Sequence, residues 1–333
     1  MEKSKPKPGK IAEGKFRRNV TEWFAKNARD LPWRRTEDPY AILVSEIMCQ
    51  QTQVSAVIPY YTRWMRRFPD CQTLAAATEH EVMGMWQGLG YYSRARNLHR
   101  AAQAVNGAGF PRDLEAIRAL PGVGRYTAGA IAAFAYDEPA PLVDANIARV
   151  LARVFAIREP IDGTGLALVW ERASSLQPPN HGRSFNAGLM EIGALVCTPR
   201  NPRCSVCPVA GFCAALAAGI QEELPVKKPR RKTVPLAEYC AIITQNGKIL
   251  LKQQTGPRWR GLWKLPDLEQ IPERTPELVI EYPFTHHKVT LSVYRQRAPR
   301  AKREGCEWHA ISGLAEVPLA AAHRRAVERL LKT

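Results

Sequence analysis

The sequence predicts an all-α domain followed by a small α+β domain, and three observations carry that reading. From Lys15 to about Ala218 apolar residues recur at three- and four-residue spacing, Ala is abundant, and no strand-like alternation of any length occurs. Pro225–Lys232 (PVKKPRRK) then brings prolines and five cations with no apolar period. Beyond it, β-rich runs flank an Asn-Gly pair. A chain of 333 residues is long enough for two domains, and 45% hydrophobic with 24% charged residues is a globular composition that excludes wholesale disorder. Uninterrupted apolar stretches such as Ala128–Tyr136 are less than half a membrane span, so no membrane partner is expected. Met1–Lys10 is basic with no apolar core behind it, which predicts no secretory signal and an intracellular protein.

Each element follows from local chemistry. Glu37-Asp38-Pro39 opens a helix, Asp38 serving as N-cap and Pro39 as its first residue. In Tyr40–Cys49 the only polar groups are Ser45, Glu46 and the Tyr40 hydroxyl, and a helix apolar on nearly every face is a buried one. Pro111–Leu120 reads as a short amphipathic helix stopped by Pro121-Gly122, followed by helices at Arg125–Tyr136 and Ala145–Ile157. Lys227, Lys228, Arg230, Arg231 and Lys232 sit on an extended tether suited to lie near a phosphate backbone. Tyr239–Thr244 and Lys248–Lys252 form a hairpin around Gln245-Asn246-Gly247, with further strands at Glu277–Tyr282 and Lys288–Arg295 and a closing helix at Ala320–Leu331.

Charge points to the partner. Lys+Arg 48 against Asp+Glu 31 gives +17; before Pro225 the counts are 27 and 21, from Pro225 onward 21 and 10, so the two parts carry +6 and +11. Two separately basic modules fit contact with one polyanion, of which nucleic acid is the leading case.

Four features carry candidate chemistry. Cys197, Cys204, Cys207 and Cys213 form C-x6-C-x2-C-x5-C, a cluster of thiols that in an intracellular protein indicates a metal site, zinc or iron–sulfur. Leu120-Pro121-Gly122-Val123-Gly124 lies between two helices; its glycines permit a tight turn, and the amides opening the next helix, with Arg125 beside them, suit a phosphate. Glu46, on the apolar helix, is expected to hold its proton and so to suit general-acid work; a structural ion pair is the plain alternative. Asp144 stands where a helix begins, where capping accounts for it; the N–H donors and dipole there are expected to keep it a persistent anion. One neutral acid and one anion make the pair that cleaves glycosidic bonds.

The LPGVG hairpin, Asp144 and the four-cysteine loop together resemble the helix-hairpin-helix DNA glycosylases that carry a [4Fe-4S] cluster. Within them, Leu31-Pro32-Trp33-Arg34, Ser45-Glu46-Ile47-Met48-Cys49-Gln50-Gln51-Thr52-Gln53-Val54 and Gly88-Leu89-Gly90-Tyr91-Tyr92-Ser93-Arg94-Ala95-Arg96-Asn97 resemble the MutY-type adenine DNA glycosylases. The resemblance covers Lys15–Ala218 and, more loosely, the C-terminal part, where Gly261-Leu262-Trp263 and Phe284-Thr285-His286 are similar to a Nudix-like domain. It implies a helix-hairpin-helix glycosylase domain with an iron–sulfur loop (15–224, the loop at 197–213), a basic linker (225–235) and a small α+β Nudix-like 8-oxoguanine-recognition domain (236–333).

By the same resemblance the partner is double-stranded DNA, and a monomeric, DNA-associated enzyme removes adenine mispaired with 8-oxoguanine or guanine. Glu46 would protonate the flipped adenine and Asp144, with Asn146 beside it, would steady the charge on the sugar. Tyr126 stands where strand-cutting members of this fold carry a lysine, which implies a monofunctional enzyme. Arg29, Leu31, Trp33 and Glu191 match positions around the adenine, while Gln51, Thr52, Leu89 and Tyr91, with Phe284, Thr285 and His286, match positions around 8-oxoguanine. Ala145 and Ala187 replace the family's usual Gly and Gln, and Val143–Asn146 and Phe185–Met190 look more like thymine mismatch glycosylases; a thymine or uracil mismatch enzyme is the alternative.

Overall fold

A computed structural model of the chain describes residues 12–226, 233–256, 258–301 and 303–331. They group into two units: 1–76 with 97–229, and 77–96 with 230–333. The division thus crosses the chain three times, the last crossing falling inside 225–235, and the cations expected on the tether lie outside the described residues.

In chain order the helices before the sheet are α1 (Glu13–Asn27), α2 (Pro39–Cys49), α3 (Val54–Arg67), α4 (Cys71–Ala76), α5 (Glu79–Trp86), α6 (Ser93–Val105), α7 (Leu114–Arg118), α8 (Arg125–Tyr136), α9 (Ala145–Val154), α10 (Thr164–Ser175), α11 (Gly182–Leu195) and α12 (Ala214–Ala217). Among the described residues no helix is long and apolar enough to cross a membrane. The Asp38 side chain accepts from the Tyr40 amide at 3.0 Å, and residues 40–48 of α2 are all buried. α2 lies against α8, while α11 packs against α1, α8 and α9. Phe16, Val20, Leu151, Phe185 and Ile192 form the core of that packing, with Phe16 and Phe185 edge to face at 6.5 Å. Gly193 lets α11 approach α9, since a Cβ there would stand 2.6 Å from the Asn146 Cβ.

Two helices are shorter than the sequence predicts. The helix read at 111–120 covers only Leu114–Arg118, because the Asp113 side chain accepts from the Ala116 amide at 2.9 Å and caps it late. The helix read at 145–157 stops at Val154, where Ala156 turns to φ +49.

The second unit is built on a sheet of order β3-β2-β1-β5-β4, with β6 also pairing β2: β1 (Val234–Gln245), β2 (Lys248–Gln253), β3 (Trp263–Lys264), β4 (Leu278–Phe284), β5 (His287–Gln296) and β6 (Cys306–Ala310). Asn246 and Gly247, at φ +47 and +70, make the two-residue turn between β1 and β2. β1 and β5 run parallel from Val234↔His287 to Ile243↔Gln296, and β4 returns antiparallel to β5. A last helix, α13 (Ala321–Leu331), covers β4 and joins Ala326 and Val327 to Ile242, Leu251 and Leu291. Residues 77–96 belong to this unit through contacts such as Arg324 Nη2 to Gln87 Oε1 at 3.0 Å and Arg96 Nη1 to the Arg260 carbonyl at 2.7 Å.

Candidate active site

The packing of α2 on α8 brings Glu46 and Tyr126 together, and the Tyr126 hydroxyl donates to Glu46 Oε2 at 2.6 Å. Glu46 is 7% exposed and lines a cavity of about 120 Å³ with Trp33, Ile42, Phe134, Ala187 and Met190. Burial pushes its carboxyl up; the Tyr126 hydroxyl and Arg34 pull against that, the Asp144 charge adds to it, and the net is about 7. An acid of that strength is half protonated near neutral pH, the condition for giving a proton to a bound base. Burial and the adjacent carboxyls raise the Tyr126 phenol well above its usual range, so it remains a donor.

Asp144 caps α9, accepting from the Ile147 amide at 2.7 Å and from Asn146 Nδ2 at 3.0 Å. The persistent anion expected from the cap is corrected in direction: burial raises Asp144 above the usual carboxylate range, and the hydrogen bonds and Arg149 oppose it without prevailing. Asp144 has two N–H donors and a helix N-terminus on its carboxylate, Glu46 one hydroxyl, so the Asp144 anion is the better supported of the two. The cap is held in turn by Arg149, whose Nη2 donates to Asn146 Oδ1 at 2.8 Å and to the Gly193 carbonyl at 2.7 Å, while its Nε donates to the Cys197 carbonyl at 2.6 Å.

Glu191, fully buried on α11, takes Arg29 through a bidentate pair (2.7 and 3.0 Å) and Arg34 at 2.7 Å, and accepts the Arg29 amide at 3.0 Å. Burial alone would raise it; those donors outweigh burial and hold it at about 2. Trp33 and Arg34 line the Glu46 cavity, whereas Leu31, Arg29 and Glu191 stand outside its lining, behind Arg34. Sequence reasoning quoted Arg34 without giving it a role, and missed Arg183, which lines the same cavity and pairs with Glu37. The sequence signal for Arg149 and Arg153 was two cations four apart on an otherwise apolar helix.

Cys197, Cys204, Cys207 and Cys213 line one cavity with Val150, Ile192 and other apolar side chains. Among the described residues no group of three His, Cys, Asp or Glu side chains is placed to hold a metal ion, while the four thiols share the lining of one cavity. Arg153 Nη1 donates to Cys197 Sγ at 3.2 Å. Four soft donors, an apolar wall and a cation fit an iron–sulfur cluster. Burial pushes the Cys207 thiol up to about 11, so binding must release protons there.

The LPGVG segment forms a turn closed by the Val123 amide on the Leu120 carbonyl at 3.0 Å, with Gly122 at φ +77 and Gly124 opening α8 without a side-chain cap. Arg125, exposed beside this turn, lies over the Trp170 ring at 3.8 Å. Gln51, at φ +55, is exposed just past α2, and Thr52 Oγ1 donates to the Gln50 carbonyl at 3.3 Å. In the second unit Leu89 is buried, and its carbonyl accepts from Arg94 Nη2 at 2.8 Å. Tyr91 is 58% exposed at φ +47. Phe284 ends β4, and Thr285 and His286 form the exposed β4–β5 turn.

Comparison with known proteins follows the same lines. Residues 44–166 match the family described as HhH-GPD superfamily base excision DNA repair protein, and residues 197–213 the iron-sulfur binding domain of endonuclease III. An adenine DNA glycosylase of Rattus norvegicus is 43% identical over 71% of this chain and 48% of its own length. One from Buchnera aphidicola subsp. Baizongia pistaciae is 37% identical over 75% of this chain and 73% of its own. The structure of a thermostable thymine-DNA glycosylase is 30% identical, with a TM-score of 0.55, over 62% of this chain and 97% of that one. The chain spans about half the length of the rodent relatives it matches.

Proposed function

The chain belongs to the adenine DNA glycosylase family, within the HhH-GPD superfamily of base excision DNA repair proteins, and from that membership we propose that it excises adenine from 8-oxoguanine or guanine mispairs in duplex DNA. The observation that carries the reading is Glu46, a carboxyl raised to about 7 at the wall of a base-sized cavity. The adenine leaves the stack and enters that cavity, against the Trp33, Ile42, Phe134 and Met190 side chains. Glu46 gives its proton to the ring nitrogen N7, so the base departs neutral rather than as an anion. Asp144, the better supported anion of the pair, steadies the positive charge that develops on the deoxyribose, and Asn146 and Arg149 hold it in place. Tyr126 presents a hydroxyl and no amine, so water is the nucleophile and an abasic site is the product.

The four cysteines would hold a [4Fe-4S] cluster, which when bound ties residues 197–213 into one loop. The hairpin amides and exposed basic side chains take the DNA backbone, and the C-terminal part, roughly 236–333, acts as a Nudix-like module whose Phe284-Thr285-His286 turn and Tyr91 read the base opposite the adenine. The working form is a monomer on intracellular DNA. A second reading, thymine or uracil release, draws on Ala187, which places no amide in the Glu46 cavity, and on the likeness to the thymine-DNA glycosylase structure.

Single-turnover base release from four duplexes decides between them: A opposite 8-oxoguanine, A opposite G, T opposite G and U opposite G. Adenine release, lost in Glu46→Gln and without a borohydride-trapped adduct, is the expected result. Thymine release without adenine release reverses the assignment.

A further inference from the structure

Residues 238, 258, 259 and 282, none of which has a role above, form a cluster around Phe284. The Arg258 guanidinium lies 4.0 Å from the Trp259 ring centroid and 4.0 Å from that of Phe284, in the angle between two rings that themselves meet edge to face at 6.3 Å. Its Nη1 pairs with Glu238, and its Nη2 donates to the Tyr282 hydroxyl at 2.5 Å; that hydroxyl donates to Glu238 Oε2 at 2.7 Å. The ring formed by these three side chains joins β1, the 254–262 loop and β4. Trp259 is itself held from behind, edge-on to the buried His323 at 5.3 Å.

What the cluster holds is the last residue before the β4–β5 turn. Thr285, the first turn residue, has φ +52, a left-handed conformation that a β-branched residue rarely adopts. Such strain persists only where the surroundings over-determine the backbone, and it gathers at functional sites. On one side the turn is bounded by the Phe284↔His287 pair of the ladder; on the other, the Phe284 ring lies against Arg258 and the edge-on Trp259. A planar cation with several donors can lie against aromatic rings while it pairs with a carboxylate and a phenol, a combination that the single ammonium of lysine does not reproduce.

We propose that Arg258 is a positioning residue that fixes the Phe284-Thr285-His286 turn in its base-reading geometry, and through it the preference for 8-oxoguanine over guanine opposite the excised adenine. This rests on the reading of the turn under the proposed function. It assigns the discrimination to a cluster remote in sequence from the turn, while the excision step on the A:G duplex does not depend on it.

The test is single-turnover excision by the iron-loaded full chain on A opposite 8-oxoguanine and A opposite G. Arg258→Lys and Glu238→Gln are each expected to lower the ratio of the two rates about tenfold, with the A:G rate unchanged within about twofold. A Thr285→Val/His286→Ala double variant tests the underlying reading and is expected to collapse the same ratio. If the double variant collapses the ratio but Arg258→Lys and Glu238→Gln preserve it, the positioning role is overturned and the turn's reading stands. If the double variant preserves the ratio, the reading fails and the proposal with it. A parallel fall of both rates in Arg258→Lys marks a merely structural role and also overturns it; should that variant not fold, Glu238→Gln decides.

Discussion

A carboxyl that must deliver a proton near neutral pH needs a dry site and few donors, and Glu46 has both. Its acidity of about 7 stands above the ordinary carboxylate value of about 4.3, so the acid form is lost as pH rises through 7 and excision falls on the alkaline side. Tyr126→Phe removes the one side-chain donor to the anion, which raises Glu46 further. The alkaline limb of the single-turnover pH profile should move upward by about one unit or less; an unmoved or lowered limb would contradict the assignment. In stability the same shift acts with the opposite sign to that of Glu191. The Glu46 contribution is present below the unfolded value and lost as pH rises through about 7; that of Glu191 is present above the unfolded value and lost as pH falls through about 2. Glu46 was legible because its sequence neighbours are apolar. Its bond to Tyr126, eighty positions away, was not, since nothing local to either residue announces it.

At the scale of elements, the caps were the reliable signal. Asp38-Pro39 marks the start of α2, and Asn246-Gly247 marks a turn whose two positive φ values match the strand twist. The strands at 263–264 and 306–310 escaped notice because one is two residues long and the other, CEWHA, mixes charge and aromatics without clear alternation. The parallel pairing of β1 with β5 joins runs about fifty residues apart, and pairing over that distance leaves no local trace. The α7–α8 hairpin yields a test of its own. A Cβ on Gly122 would stand 2.5 Å from the Asn97 Cβ at a backbone φ of +77. Gly122→Ala should therefore cost about 1–3 kcal/mol in urea unfolding and weaken duplex affinity in a filter or anisotropy titration. Full stability with full affinity would show that the turn tolerates a side chain and that its amides are not a phosphate site.

For the molecule as a whole, the iron–sulfur loop and the Asp144 cap of α9 share a connection. Cys197 meets Arg153 through its sulfur and Arg149 through its carbonyl, and Arg149 reaches Asn146 and hence Asp144. Removing iron by chelation should lower the thermal midpoint and reduce single-turnover excision, both restored on reconstitution; an iron-free protein with an unchanged midpoint and rate would sever that link. Basic charge, by contrast, is a composition property, and +6 and +11 in the two parts of the chain already pointed to a polyanion. Residue identity and spacing along the chain settled the helical and β-rich segments, the four thiols and the one carboxyl set among apolar neighbours, because those are local or compositional patterns. Tertiary packing alone settled that Glu191 is paired with two arginines, that residues 77–96 join the later unit, and that Arg258 lies against Phe284. Burial and through-space charge depend on partners distant in sequence, and only folding brings those partners within reach.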